Sequence, residues 1–251
     1  MSFFKKKILG IDRRIRCLRY GMFYFYNSNF RIPDYIKING KKRYFLSKNF
    51  DIQEFTSICI YDCYYLKHLK DLISDIHCIV DVGSNQGIFL IAARQVFPGA
   101  KIKGYEPNEN LRTILDHNSR QLNAEVCYKA VMKDHCMVNL QYASSDLATT
   151  AHKSDQGTVP AVSIENVIES VGEIDILKID CEGCEWQLLE EKTVWRHIRS
   201  LCLEYHLWAT EMDRNELLVL IDQLGFKIKK HTSLSADQGI IIAINKEYQV
   251  I

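Results

Sequence analysis

No stretch of the 251-residue chain approaches the ~20 apolar residues of a membrane span, and no cleavable signal pattern is evident. Charge of one sign is equally scarce. The net charge is +1, from 32 lysines and arginines against 31 acids, which argues against a dedicated nucleic-acid binder. An even cysteine count, the mark of a disulfide framework, is missing as well. There are nine cysteines, and Cys78, Cys127 and Cys202 sit inside apolar runs, so reduced thiols and a cytoplasmic location are expected. Two phosphate-binding signatures are also lacking, the dinucleotide G-x-G-x-x-G and the Walker G-x-x-x-x-G-K-[ST]. What remains is 47% apolar and 25% charged, an ordinary globular composition. The length suits one large α/β domain, or a domain with an N-terminal extension.

The chain is organised around Cys78-Ile79-Val80-Asp81-Val82-Gly83-Ser84-Asn85-Gln86-Gly87. A short apolar run ends in an acid, turns through two glycines and resumes at helical spacing. That is a buried parallel strand, a tight turn and a helix, whose N-terminus offers unpaired N–H groups to a ligand. Glycine lets a ligand approach the backbone closely and permits positive φ. D-x-G-x-x-x-G resembles motif I of class I S-adenosylmethionine-dependent methyltransferases. A second acid, Glu106, followed by Pro107, ends the next apolar strand, where a carboxylate can accept both ribose hydroxyls.

The regions before this stretch read differently. Over residues 1–26, seven cations face the single acid Asp12, and Phe4, Ile8, Ile11, Ile15, Leu18, Met22 and Phe25 recur at helical spacing. Such a stripe docks on the domain or on a second subunit. The alternative is an anionic membrane surface, relevant if the acceptor is lipid-linked. Asn39-Gly40 between alternating segments predicts a β-hairpin over 35–46. Residues 61–73 read as a helix, with Tyr61, Tyr64, Tyr65, His68, Leu69 and Leu72 toward one side.

From residue 78 the β/α alternation is regular. Strands are expected at 78–82, 102–105, 125–130, 175–179 and 201–205, with helices at 87–95, 110–121, 164–171 and 185–191. A further strand is expected at 137–140, a surface loop at 144–158 and a helix at 217–224 closed by Gly225. Two last strands, 226–230 and 239–244, pair at the end of the sheet. The fold expected is an α/β, Rossmann-like class I methyltransferase sheet, mostly parallel with an antiparallel C-terminal strand. Residues 1–60 form a helix and hairpin extension, and residues 61–251 the cofactor-binding domain. Ligands of such sheets sit at the carboxyl ends of the strands, where Asp81, Glu106, Asp180 and Glu204 all fall.

Lys178-Ile179-Asp180-Cys181-Glu182-Gly183-Cys184-Glu185 crowds charge at the end of a buried strand, which is costly unless paired or used. Together with Asp81 to Gly87, Glu106-Pro107 and Leu203-Glu204-Tyr205-His206, this segment resembles the FkbM-type family of S-adenosylmethionine-dependent methyltransferases, across residues 78–206. The resemblance implies O-methylation of hydroxyls on sugars, glycans or polyketides. It implies S-adenosyl-L-methionine bound by Asp81, Gly83, Ser84, Asn85, Gly87, Glu106 and Pro107. Ala130 and Val131 would lie near the adenine, and Asp180 near the methionine amino group or the acceptor hydroxyl. No metal is expected: Cys181 and Cys184, with Cys202 and His206 following, occupy variable positions of the pattern and read as small core residues rather than zinc ligands.

Methyl transfer is an in-line displacement, and a sugar hydroxyl is a poor nucleophile that a general base assists. His206 is the first candidate base, since it titrates near neutrality. Glu204 could orient or replace it. Asp180 and Glu182 are competing bases, or could hold a cation that polarises the acceptor. A nicotinamide-dependent sugar oxidoreductase and a non-catalytic adaptor of glycan assembly are the rival readings. The expected partner is a sugar- or glycan-type acceptor rather than nucleic acid, and self-association is left open.

Overall fold

The computed structural model describes residues 12–22, 32–46, 50–142 and 149–248. A helix, α1, occupies residues 12–19, and Tyr35–Ile38 (β1) pairs antiparallel with Lys41–Tyr44 (β2). The turn between them has φ of 49° at Asn39 and 78° at Gly40, as the hairpin requires. It docks on the domain, Asn39 Nδ2 donating to the Arg94 carbonyl at 2.8 Å. Next come α2 (Ile52–Phe55), continued by a π-helical turn over Thr56–Ile60, and α3 (Leu66–Leu72).

Seven strands form the main sheet. They are β3 (Cys78–Val82), β4 (Lys101–Tyr105), β5 (Glu125–Cys127), β10 (Ile176–Ile179), β11 (Ser200–His206), β12 (Phe226–Ser233) and β13 (Gln238–Asn245). Their order is β12-β13-β11-β10-β3-β4-β5, and β13 runs antiparallel to both neighbours while the other pairings are parallel. The chain winds outward one way from β3 and then returns to place β10 on its other side. The crevice between β3 and β10 is therefore the topological switch point where such sheets bind ligands.

β3 is buried along its whole length, as a central parallel strand should be. The helix that follows it, α4 (Ile88–Val96), is buried nearly all round, because the N-terminal segment covers the side facing away from the sheet. Phe55, Ile58, Leu66 and Leu69 join the same core as Leu90 and Ile91. Arg94 closes the C-terminal end of α4 by donating to the carbonyls of Leu122 (2.7 Å) and Ala100 (2.7 Å). α5 (Arg112–Leu122), α6 (Ile164–Val171), α7 (Glu185–Leu189) and α8 (Arg214–Gln223) complete the α-helices among the described residues.

Several expectations need correction. The strand foreseen over 125–130 stops at Cys127, and Ala130–Met132 (β6) turns away into a second sheet of order β6-β9-β7-β8. There β7 (Cys136–Tyr142) pairs with β8 (Thr149–Lys153) and β9 (Val159–Ser163). The segment read as a loop over 144–158 thus contains a strand, whose polar side chains are half-exposed and give no apolar alternation. Residues 143–148 lie outside the described part.

The helix foreseen over 61–73 is broken. Asp62 (φ 58°) and Tyr65 (φ 52°) are left-handed, and the Asp62 carboxylate caps the new helix start by accepting from the Leu66 N–H at 2.8 Å. Only part of the apolar stripe of residues 1–26 packs inward where the chain is described: Met22 does, and Ile15 and Leu18 do not. Ile15 and Leu18 are 55% and 52% exposed, whereas Cys17, Tyr20 and Met22 are buried. Phe4, Ile8, Ile11 and Phe25 lie outside the described residues. Among the described residues, no helix is long and apolar enough to cross a membrane.

Candidate active site

A cavity of about 540 Å³ opens at the carboxyl ends of β3, β4, β10 and β11, within the size range of small-molecule sites. Gly83, Asn85, Glu106, Pro107, Ala130, Val131, Asp180, Glu182 and Glu204 all line it. Asp81, Ser84, Gly87 and His206 do not. They are placed behind the wall, and each has a structural partner.

The floor is built around one buried cation. Lys178 Nζ lies 3.0 Å from Asp81 Oδ1 and 3.5 Å from Asp180 Oδ2, and donates to the Gly83 carbonyl at 2.7 Å. Burial pushes the ammonium down, but Asp81 and Asp180 together hold it well above its usual range. Alternation along β10 puts Lys178 and Asp180 on one side, so a single strand end ties the glycine turn to the acidic segment. The Asp180 N–H donates in turn to the Val82 carbonyl at 3.1 Å. Ser84 is used locally, its Oγ donating to the Asp81 carbonyl at 3.2 Å.

At the other end, Glu106 Oε2 accepts from the Asn85 N–H at 2.7 Å and Oε1 from the Asn108 N–H at 2.8 Å. Burial lifts this carboxyl to about 7, against the two backbone bonds. Each oxygen keeps a lone pair for a further donor. Asn85 Oδ1 is buried without a hydrogen-bond partner among the described residues. An orphan acceptor beside a fixed carboxylate fits a ligand that brings hydroxyl and amine donors.

Tyr64 completes the floor from outside any motif. Its hydroxyl donates to Glu204 Oε2 at 2.7 Å and lies 3.2 Å from Asp180 Oδ2. The left-handed break at Tyr65 places it there. Sequence reasoning put Tyr64 on an apolar helix face, and nothing in its neighbourhood signalled a contact 140 residues away. Glu204 is raised to about 7 by burial and then by the Asp180 charge.

His206 is buried. Its Nδ1 lies 3.0 Å from Glu185 Oε1, which also accepts from the His206 backbone N–H at 2.9 Å, and its Nε2 lies 3.5 Å from Glu182 Oε2. Burial alone would push the imidazole down, but the bond and charge of Glu185, with Asp180 and Glu182, lift it to about 9. Donor atoms of Asp180, Glu182 and His206 fall within 4.8 Å of one another. Within that group His206 pairs with Glu182, whereas Asp180 is held by Lys178 and the Tyr64 hydroxyl.

Cys181 and Cys184 are joined in a disulfide, which corrects the expectation of reduced thiols for this pair, and the other described cysteines are free. Left-handed Glu182 (φ 53°) and Gly183 (φ 101°) curl the chain so that the two Cα atoms stand 5.5 Å apart, the separation a disulfide requires.

The strand order, the switch-point cavity and the carboxylate at the end of β4 define a class I methyltransferase fold with S-adenosyl-L-methionine as its cofactor. The chain belongs to the FkbM methyltransferase family: the model described as "Methyltransferase FkbM domain" matches residues 81–228. No curated protein sequence matches the chain. Among solved structures, the Methanococcus jannaschii fibrillarin pre-rRNA processing protein is 11% identical, with a TM-score of 0.48, covering 68% of this chain and 67% of its own. Aeropyrum pernix fibrillarin with natively bound S-adenosyl-L-methionine is 16% identical (TM-score 0.44; 73% and 76% covered). The N-terminal domain of EvdMO1 with SAH bound is 13% identical (TM-score 0.45; 72% and 78% covered).

Proposed function

We propose that this methyltransferase acts on a hydroxyl group of a sugar, glycan or related natural product, with Glu204 as the proton acceptor. The observation that carries the reading is the Tyr64 hydroxyl held between Glu204 and Asp180 in the cavity floor. S-adenosyl-L-methionine supplies an electrophilic methyl group on a sulfonium. A neutral hydroxyl needs a base to become a competent nucleophile, and the best base titrates near the working pH. Glu204, at about 7, meets that condition. His206, lifted to about 9, is an imidazolium at neutral pH and has no lone pair to offer. Its role in this reading is to hold Glu182 at the cavity edge. Tyr64 is pushed well above its ordinary range, chiefly by burial, so it stays protonated and orients the Glu204 carboxylate.

Glu204→Gln is the test. We expect kcat to fall by about 10²- to 10⁴-fold with hydroxyl acceptors, while S-adenosylhomocysteine affinity changes by less than about threefold, since Glu204 faces the acceptor. In the unsubstituted enzyme, kcat/KM should decline as pH drops below about 7, because a raised carboxyl is protonated there. The variant should lack that limb. Retention of most activity by Glu204→Gln would remove Glu204 from the mechanism.

A further inference from the structure

Glu54 stands outside the family-matched region, on α2, yet lines the same cavity as Gly83 and Asp180. Its backbone N–H is fixed by the Asp51 carboxylate at 2.8 Å, so the first turn of the helix is anchored. Its Oε2 is shut off from solvent and has no hydrogen-bond partner among the described residues. A buried carboxylate in that state is costly unless something meets it.

Glu54 and Asp180 line the cavity together, and the charges that bear most on Glu54 are those of Asp180, Lys178, Asp51 and Asp81. Lys178 is already engaged with Asp81, Asp180 and the Gly83 carbonyl. Of those four groups three are acids, and the one cation is already spent. Burial, followed by the Asp180 charge, raises its carboxyl to about 8. The unmet requirement at Glu54 is a cationic hydrogen-bond donor. Of the polar groups of the cofactor, the carboxylate is repelled here and the sulfonium cannot donate. The hydroxyls and the base belong to the Glu106 end. The α-ammonium is left.

We propose that Glu54 is a cofactor-binding residue that accepts a hydrogen bond from the α-ammonium of S-adenosylmethionine and of S-adenosylhomocysteine. This rests on the assignment of that cofactor to the cavity. The segment preceding the family domain then supplies part of the cofactor site, and α2 is held down by ligand as well as by packing.

The test is calorimetry on the full chain with S-adenosylhomocysteine and with its analogue lacking only the α-amino group. The unsubstituted protein should bind the analogue about 10- to 100-fold more weakly, the range for a hydrogen bond to a charged group. Glu54→Gln should bind S-adenosylhomocysteine about tenfold more weakly or worse, and should discriminate between the two ligands by less than about threefold. Its Tm without ligand should not fall, because an unpartnered buried carboxylate has been removed. A merely structural Glu54 would lower the Tm and leave discrimination intact. If Glu54→Gln keeps full discrimination while Glu106→Ala loses binding, this inference fails and the cofactor assignment stands. If neither ligand binds the unsubstituted protein, the cofactor assignment itself fails.

Discussion

Gly83→Ala is expected to abolish detectable S-adenosylhomocysteine binding and to lower the Tm. Gly83 has φ of 79°, and a Cβ there would overlap the Asp180 carbonyl oxygen and stand 2.9 Å from its carbonyl carbon. The left-handed conformation alone costs an alanine about 1–2 kcal/mol. The overlap matters more, because the obstacle is backbone. The Asp180 N–H is bonded to Val82 and the Gly83 carbonyl to Lys178, so neither side of the crevice can retreat alone. Relief requires β3 and β10 to part at the switch point, where the ligand binds. Gly87→Ala shares the positive φ (83°) but meets side chains alone, the tightest being Leu115 at 3.1 Å, which can shift. It should keep measurable affinity. Thermal unfolding and calorimetry of the two variants side by side check the contrast, and equal effects would mean the Asp180 backbone is not the constraint.

Lys178→Met should cost about 3–5 kcal/mol of stability, the range for breaking a buried pair by removing one partner. Asp81 is fully buried and Lys178 nearly so. With the ammonium gone, Asp81 must be carried uncompensated or take up a proton. Its carboxyl is already raised by burial, with Lys178 opposing the shift. A raised carboxyl is stabilising in its protonated form, so the loss should be smaller at pH 5 than at pH 8. The double variant Lys178→Met, Asp81→Asn should recover much of the stability, since two neutral groups leave no orphan charge. Urea unfolding of both variants at the two pH values measures this. Equal losses in single and double variants would show that packing of the lysine stem, not charge, is what matters.

The parts of the fold that follow from local chemistry were legible in the sequence. β3 is an apolar run with no polar side chain to spare before Asp81, and α6 begins where Ser163 caps the Asn166 N–H at 3.2 Å. The acids at strand ends were legible too, because spacing and the parallel order place Glu106, Asp180 and Glu204 on one rim. What the sequence hid depends on contacts distant along the chain. Tyr64 and Glu54 act on the cavity only because the helix breaks at Tyr65 and because α2 and its π-helical turn lie across α4. Of the second sheet only β7 was foreseen, over 137–140, since β8 is half-exposed and polar and β9 carries Pro160 among its apolar residues. His206 carried the right residue type for a base. Its burial between Glu185 and Glu182 is a tertiary fact that no periodicity reveals.

The cavity should take S-adenosylmethionine with Glu106 on its ribose. Calorimetric titration with S-adenosylhomocysteine tests it most directly, run with NAD(H) as a parallel ligand and with Glu106→Ala for comparison. Because Glu106 also ties the Asn85 and Asn108 backbones, the Tm of the variant is followed alongside. S-adenosylhomocysteine should bind and NAD(H) should not, and that binding should be weakened by about tenfold or more in a folded Glu106→Ala. Binding of NAD(H) alone, or of neither ligand, would contradict that assignment.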